Sequence, residues 1–177
     1  MAGKIDARLG ALGVTLPSVA AAAGNYVPTV RTGNLVFVSG QITLKDGQLE
    51  YLGKVGRDFT VEQGQAAARL CALNVLAQLK AALGGDLDKV RRCVKVTGFV
   101  NATPEFTDHP KVVNGASDLL ASVFGDVGKH ARAAVGMSSL PLGVATEIEA
   151  VFEVAPGGSR RKPAAKKKAA KRPRRRR

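Results

Sequence analysis

The sequence predicts an α+β fold, a mixed sheet with two helices on one face, and three observations predict it. Between residues 24 and 154 the periodicity runs strand, strand, helix, strand, helix, strand, strand. Both helix-like stretches carry their apolar residues along one side, as helices lying on a sheet must. The last strand-like stretch divides by face: Thr146, Ile148, Ala150, Phe152 and Val154 on one side, Glu147, Glu149 and Glu153 on the other. Helices on one face leave the opposite face to another cover, and a partner subunit would supply one.

Taken in order, residues 1 to 23 place Leu9, Leu12 and Leu16 at helical spacing before Pro17, predicting a short amphipathic helix that the proline stops. Tyr26 to Thr32 and Leu35 to Gln41 read as a hairpin around the turn signal Thr32-Gly33-Asn34, with Leu35, Phe37 and Ser39 alternating against Val36, Val38 and Gly40. The Gly-rich stretch from Lys45 to Arg57 reads as a third short strand or a loop. Thr60 followed by Gln63 is a capping-box signature. It opens a helix whose Leu70, Leu73, Leu76, Leu79 and Leu83 face one way until Gly84-Gly85 ends it. After a short connection at Asp86 to Lys89, Val90 to Asn101 alternates and is rich in β-branched residues, a strand. His109-Pro110 begins a second helix with Asp108 as its candidate cap, Val113, Leu119, Leu120 and Val123 as its apolar side and Gly125 as its terminator. Ala131 to Met137 and Ala145 to Val154 are the last strands, joined through Pro141 and Gly143.

The charge is unevenly spread. Of 27 basic and 14 acidic residues, twelve of the basic ones lie between Arg160 and Arg177, which leaves 15 against 14 in the remainder, so nearly all of the net +13 belongs to the tail. The reading is therefore one domain, 1–155, and a Lys/Arg-rich segment, 156–177, with too little apolar surface to fold. Its cations are Arg160, Arg161, Lys162, Lys166, Lys167, Lys168, Lys171, Arg172, Arg174, Arg175, Arg176 and Arg177. Interleaved with Ala and Pro and lacking aromatics, they suit phosphate backbones of DNA or RNA, without sequence preference, better than base stacking. No apolar run approaches the roughly 18 residues of a membrane span, and no leader pattern opens the chain, so a cytoplasmic location is expected. Cys71 and Cys93 fall in a predicted helix and strand and read as buried thiols. They and the two histidines, His109 and His130, lack metal-ligand spacing, so neither metal nor cofactor is expected.

The run His130-Ala131-Arg132-Ala133-Ala134-Val135-Gly136-Met137-Ser138-Ser139-Leu140-Pro141, followed by Glu147-Ile148-Glu149-Ala150, resembles the C-terminal signature of the YjgF/RidA family. Val38-Ser39-Gly40-Gln41 resembles its early motif, and Tyr26 and Asn114 fall where that family has such residues. The resemblance covers residues 24–154. It implies a chorismate-mutase-like subunit, a homotrimer with ligand clefts between subunits, and hydrolysis of reactive enamines or imines such as 2-aminoacrylate to keto acid and ammonia. Other members have been described as endoribonucleases or translation inhibitors.

By that resemblance Arg132 would grip the substrate carboxylate as a planar fork, and Glu147 would orient the attacking water and move a proton toward the departing ammonia. Tyr26 would add a phenolic hydroxyl; Ser39, Gly40, Asn114 and the backbone of Ala134 would complete a substrate-binding cleft, with His130 able to face it. Deaminating members commonly carry Ser or Thr and then Cys or Thr after the arginine, where Ala133 and Ala134 stand here, and Asp108 to Asp118 looks like a distinct branch. Two other functions remain open: a non-catalytic trimer that binds small carboxylates or nucleic acid, and an endoribonuclease, although no histidine pair for acid-base cleavage of RNA is recognisable.

Overall fold

A computed structural model describes residues 3–19, 21–22 and 24–156, so the cationic residues 160–177 lie outside the described residues. The elements are α1 (Lys4–Ala11), β1 (Thr29–Thr32), β2 (Leu35–Ile42), β3 (Leu44–Lys45), β4 (Gln48–Leu49), α2 (Val61–Ala82), β5 (Val90–Asn101), α3 (His109–Phe124), β6 (Ala131–Met137) and β7 (Thr146–Val154). Five strands form one sheet in the order β1-β2-β7-β5-β6, with β5 and β6 parallel and the remaining pairs antiparallel. The parallel pair needs a crossover, and α3 provides it. The mixed α+β sheet of the sequence reading is the observed one.

The helices lie on one face because only that face is apolar enough to bury them. Val36, Val96, Val100, Ile148 and Phe152 from the sheet meet Val75, Leu76, Leu79, Leu119 and Leu120 from α2 and α3, all essentially inaccessible to water. Each fully buried aliphatic side chain contributes on the order of 1.5–3 kcal/mol. In α2 the capping box forms as its spacing predicts. The Thr60 Oγ1 accepts from the Gln63 N–H at 3.3 Å, while the Gln63 Oε1 accepts from the Thr60 N–H at 2.9 Å. Helices α2 and α3 touch backbone to backbone at Gly115, where a β-carbon would collide with the Gln65 carbonyl oxygen. Cys71 and Cys93 are buried and unbonded to each other.

Several local expectations are corrected. The first helix stops at Ala11, well before Pro17, because Gly13 turns the chain at φ +63°; Leu9 is buried while Leu12 is exposed. Its open amino end is capped from far away, since the Asp88 carboxylate accepts from the Lys4 and Ile5 N–H groups at 2.8 Å each. β1 begins at Thr29 and not Tyr26, directly after Pro28, which has no N–H to give a ladder. The stretch after Lys45 closes the β3–β4 hairpin through Asp46-Gly47, both at positive φ, as a two-residue hairpin turn requires. Asp108 does not cap α3 with its side chain; its carboxylate pairs with Lys111 at 2.9 Å instead. Among the described residues no helix is long and apolar enough to cross a membrane, and no group of three His, Cys, Asp or Glu is placed to hold a metal ion.

Candidate functional site

Arg132 stands on β6, the edge strand, opposite the buried Val96 of β5, so its side chain leaves the sheet on the helix-covered side. There it is exposed and lies along α3. Its Nη1 donates to the Asn114 Oδ1 at 2.9 Å and the Ser117 Oγ at 3.0 Å, and its Nη2 donates to the Pro110 carbonyl at 3.2 Å. Residues 110, 114 and 117 share one stripe of the helix because they are spaced by four and three. A guanidinium has five N–H donors, so these three bonds leave Nε–H and one Nη2–H without a protein partner among the described residues, neighbouring groups that match the two oxygens of a carboxylate. Ala134, two residues along on the same side, is partly buried against the core on this edge strand. His130 is half-buried beside the arm, its Nε2 3.0 Å from the Ser117 Oγ and its Nδ1 2.7 Å from the Gly128 carbonyl oxygen. Burial lowers its pKa, an effect the Gly128 bond opposes and the Arg132 charge adds to.

A second group forms around Glu147. This residue sits on β7 between Ile42 of β2 and Phe99 of β5, and alternation along β7 turns it away from the helices, onto the open face. Burial raises its pKa, and the neighbouring Glu149 charge adds to the rise. The carboxylate lies over Gly40, where any β-carbon would strike it. Gly40 is reached through an irregularity of β2. The pairing steps three residues from Val38 to Gln41 while β7 advances two, from Ala150 to Ile148, so the simple alternation of the sequence reading breaks after Val38. Ser39 donates from Oγ to the Pro28 carbonyl at 3.1 Å, and the Gln41 amide donates to the Ser39 and Gly40 carbonyls at 3.1 and 3.2 Å, holding the bulge. Tyr26, half exposed, lines with Gly40 and Gln41 a cavity of about 80 Å³.

Of the seven predicted site residues, Arg132, Asn114 and Ala134 gather on one side and Ser39, Gly40 and Glu147 on the other, while Tyr26 lines the cavity that Gly40 and Gln41 share with Asn74 and Gln78 of α2. Within one chain the groups do not meet: they occupy opposite faces of the sheet, with β5 between their strands. Sequence reading missed Ser117 and the Pro110 carbonyl as holders of Arg132, and Gln41 as the brace of the bulge. Ser117 was within reach of it, three residues after Asn114 and hence on the same helical face.

The family described as "YjgF/chorismate mutase-like, putative endoribonuclease" matches residues 6–153. The chain belongs to the YjgF/RidA family. The protein TCP17 of Trypanosoma cruzi is 51% identical over 153 residues, 86% of this chain and 95% of that one. Among solved structures, the protein Atu1372 of Agrobacterium tumefaciens, described as of unknown function, superposes with a TM-score of 0.79 at 53% identity over 85% of this chain and 92% of its own. The TdcF of E. coli, solved with bound serine, superposes with a TM-score of 0.56 at 26% identity over 80% of this chain and 96% of its own.

Proposed function

We propose that this protein hydrolyses reactive enamine and imine intermediates, of the 2-aminoacrylate kind, to 2-keto acids and ammonia, in a homotrimer where the Arg132 group of one protomer faces the Glu147 group of the next. One observation carries the reading: Arg132 is tied by three hydrogen bonds that leave its Nε–H and one Nη2–H without a partner among the described residues, a pair suited to a carboxylate. The Glu147 carboxyl, its pKa raised by burial and by the Glu149 charge, supplies the complementary need for a group that takes and gives a proton. From the imine tautomer, water adds to the C=N carbon as Glu147 takes one of its protons and returns it to nitrogen, giving a carbinolamine; Glu147 then takes the carbinolamine O–H proton and passes it to nitrogen as the C–N bond breaks, so that ammonia leaves and the keto acid is retained on Arg132. The open sheet face, where Val30 and Phe37 of the hairpin and Val135 of β6 are exposed, supports an assembly that covers it. The twelve tail cations would tether the trimer to DNA or RNA through phosphates, with a log–log salt slope of roughly −5 for about six contacts.

The test is keto acid release from enzymatically generated 2-aminoacrylate. Full-length protein should accelerate it, Arg132→Ala should lower the rate about 100-fold or more, and removal of 160–177 should spare turnover while abolishing salt-sensitive retention on duplex DNA. No acceleration by intact protein rejects the hydrolase. A second reading, binding without turnover, is favoured by Ala133-Ala134 in place of hydroxyl or thiol side chains and by the serine-bound TdcF; calorimetric binding of a small carboxylate with no catalysis would establish it. Endoribonuclease chemistry finds less support, because His109 opens α3 with its ring against Gly136 while the His130 ring contacts Ser117 of the same helix, eight residues, about 12 Å, further along.

A further inference from the structure

His130 lies outside the reaction proposed above, yet both of its ring nitrogens are held by neighbours of Arg132's strand and helix. The Gly128 oxygen that its Nδ1 approaches is a carbonyl and can only accept, so in the neutral imidazole Nδ1 carries the hydrogen and Nε2 is bare. The bare Nε2 can only accept in turn, and the group 3.0 Å from it is the Ser117 hydroxyl, which must therefore point its hydrogen at the ring. That leaves the Ser117 lone pairs toward the Arg132 Nη1, also 3.0 Å away. The chain of bonds has one consistent direction: Arg132 to Ser117, Ser117 to His130, His130 to Gly128. Its far end is rigid, since Gly128 is packed so closely on α3 that a β-carbon there would meet the Leu120 carbonyl.

We propose that His130 is a positioning residue for Arg132: as the neutral Nδ1–H tautomer it orients the Ser117 hydroxyl, which holds Nη1 and keeps the guanidinium's Nε–H and second Nη2–H turned out for a carboxylate. Protonation breaks the direction of the chain. The imidazolium Nε2–H must donate, Ser117 accepts from two cations at once through its two lone pairs, and the repulsion between the two cations loosens the hold on the arm. The charged groups around the ring are Asp118 from α3, Lys129, itself paired with Asp126 at 2.8 Å, from the loop, and Arg132 from β6; Asp118, Lys129, His130 and Arg132 line one hollow of about 280 Å³. Glu147, whose pKa burial raises, would act in the opposite sense in the proposed trimer, because its protonation removes a repulsion from the ligand carboxylate.

The inference rests on Arg132 being the carboxylate site, and the experiment separates the two. Calorimetric titration of full-length protein with pyruvate, ionised throughout, is run from pH 8 to 5 on wild type, His130→Gln, His130→Leu, Ser117→Ala and Arg132→Ala. Glutamine keeps an acceptor for Ser117 and cannot titrate, so it also cancels the Glu147 contribution. Relative to His130→Gln, wild-type affinity should fall about fivefold toward pH 5, the worth of one hydrogen bond to the arm. His130→Leu and Ser117→Ala should be weaker than wild type by a similar factor already at pH 8, with no further loss relative to His130→Gln in acid. Parallel wild-type and His130→Gln profiles, or unimpaired binding by both His130→Leu and Ser117→Ala, overturn the positioning role while Arg132→Ala still loses binding. Undiminished binding by Arg132→Ala overturns both.

Discussion

A carboxylate resting on a glycine is a fragile arrangement, and Gly40 under Glu147 makes it testable. The atoms a new β-carbon would meet are the carboxylate end of a flexible side chain, and Gly40 is not among the positive-φ glycines, so alanine there should cost stability little, within about 1 kcal/mol. It would nevertheless move the carboxylate aside. Gly40→Ala should therefore unfold at nearly the wild-type denaturant concentration while losing about 100-fold in turnover; normal turnover would show that the position of Glu147 over this glycine does not matter. The same residue scale shows what the sequence made legible. Arg132, Asn114, Gly40 and Glu147 were found because their residue types sit in a recognisable pattern. Ser117 was not, because a serine inside a helix usually satisfies itself on its own backbone, and only the direction of the Arg132 arm, a tertiary fact, gives it a second use.

At the scale of elements, the structure followed the sequence wherever local chemistry decides the outcome. The Thr60/Gln63 box, the Gly84 and Gly125 stops and the two-faced β7 are each decided by residues within a turn or two of one another. The failures share a different cause. The α1 cap came from Asp88, the β2 bulge answers to β7 and the Gln41 amide, and Asp108 chose Lys111 over the helix end; each depends on a competing partner that periodicity does not weigh. Element packing also predicts which glycine matters most for the fold. A β-carbon at Gly115 meets the Gln65 backbone, which cannot rotate away, so Gly115→Ala forces α2 and α3 apart, whereas Thr60→Ala removes one cap. Chemical denaturation should give a loss of about 2–3 kcal/mol for Gly115→Ala against about 1 kcal/mol for Thr60→Ala, and equal losses would mean the helices part without penalty.

At the scale of the whole molecule, the proposed reaction requires the Arg132 and Glu147 groups, on opposite sides of one sheet, to meet across a junction between subunits. A single protomer gains nothing by that placement, since Arg132 and Glu147 point away from each other. A closed ring of identical subunits makes the arrangement productive, because each heterologous interface joins one face of a protomer to the other face of its neighbour and so repeats the same pairing at every junction. This makes a prediction that neither half could satisfy alone. Arg132→Ala and Glu147→Gln proteins should each be inactive, but when they are co-expressed in equal amounts, a junction takes its arginine from a Glu147→Gln subunit and its carboxylate from an Arg132→Ala subunit in about a quarter of cases. The co-expressed population as a whole should then recover about a quarter of wild-type turnover, whereas the same two proteins purified separately and mixed without exchange of subunits should recover none. Zero recovery from verified mixed trimers would place the whole reaction within one chain, which the opposite orientations of these two side chains leave no room for, and the hydrolytic reading would fall with it.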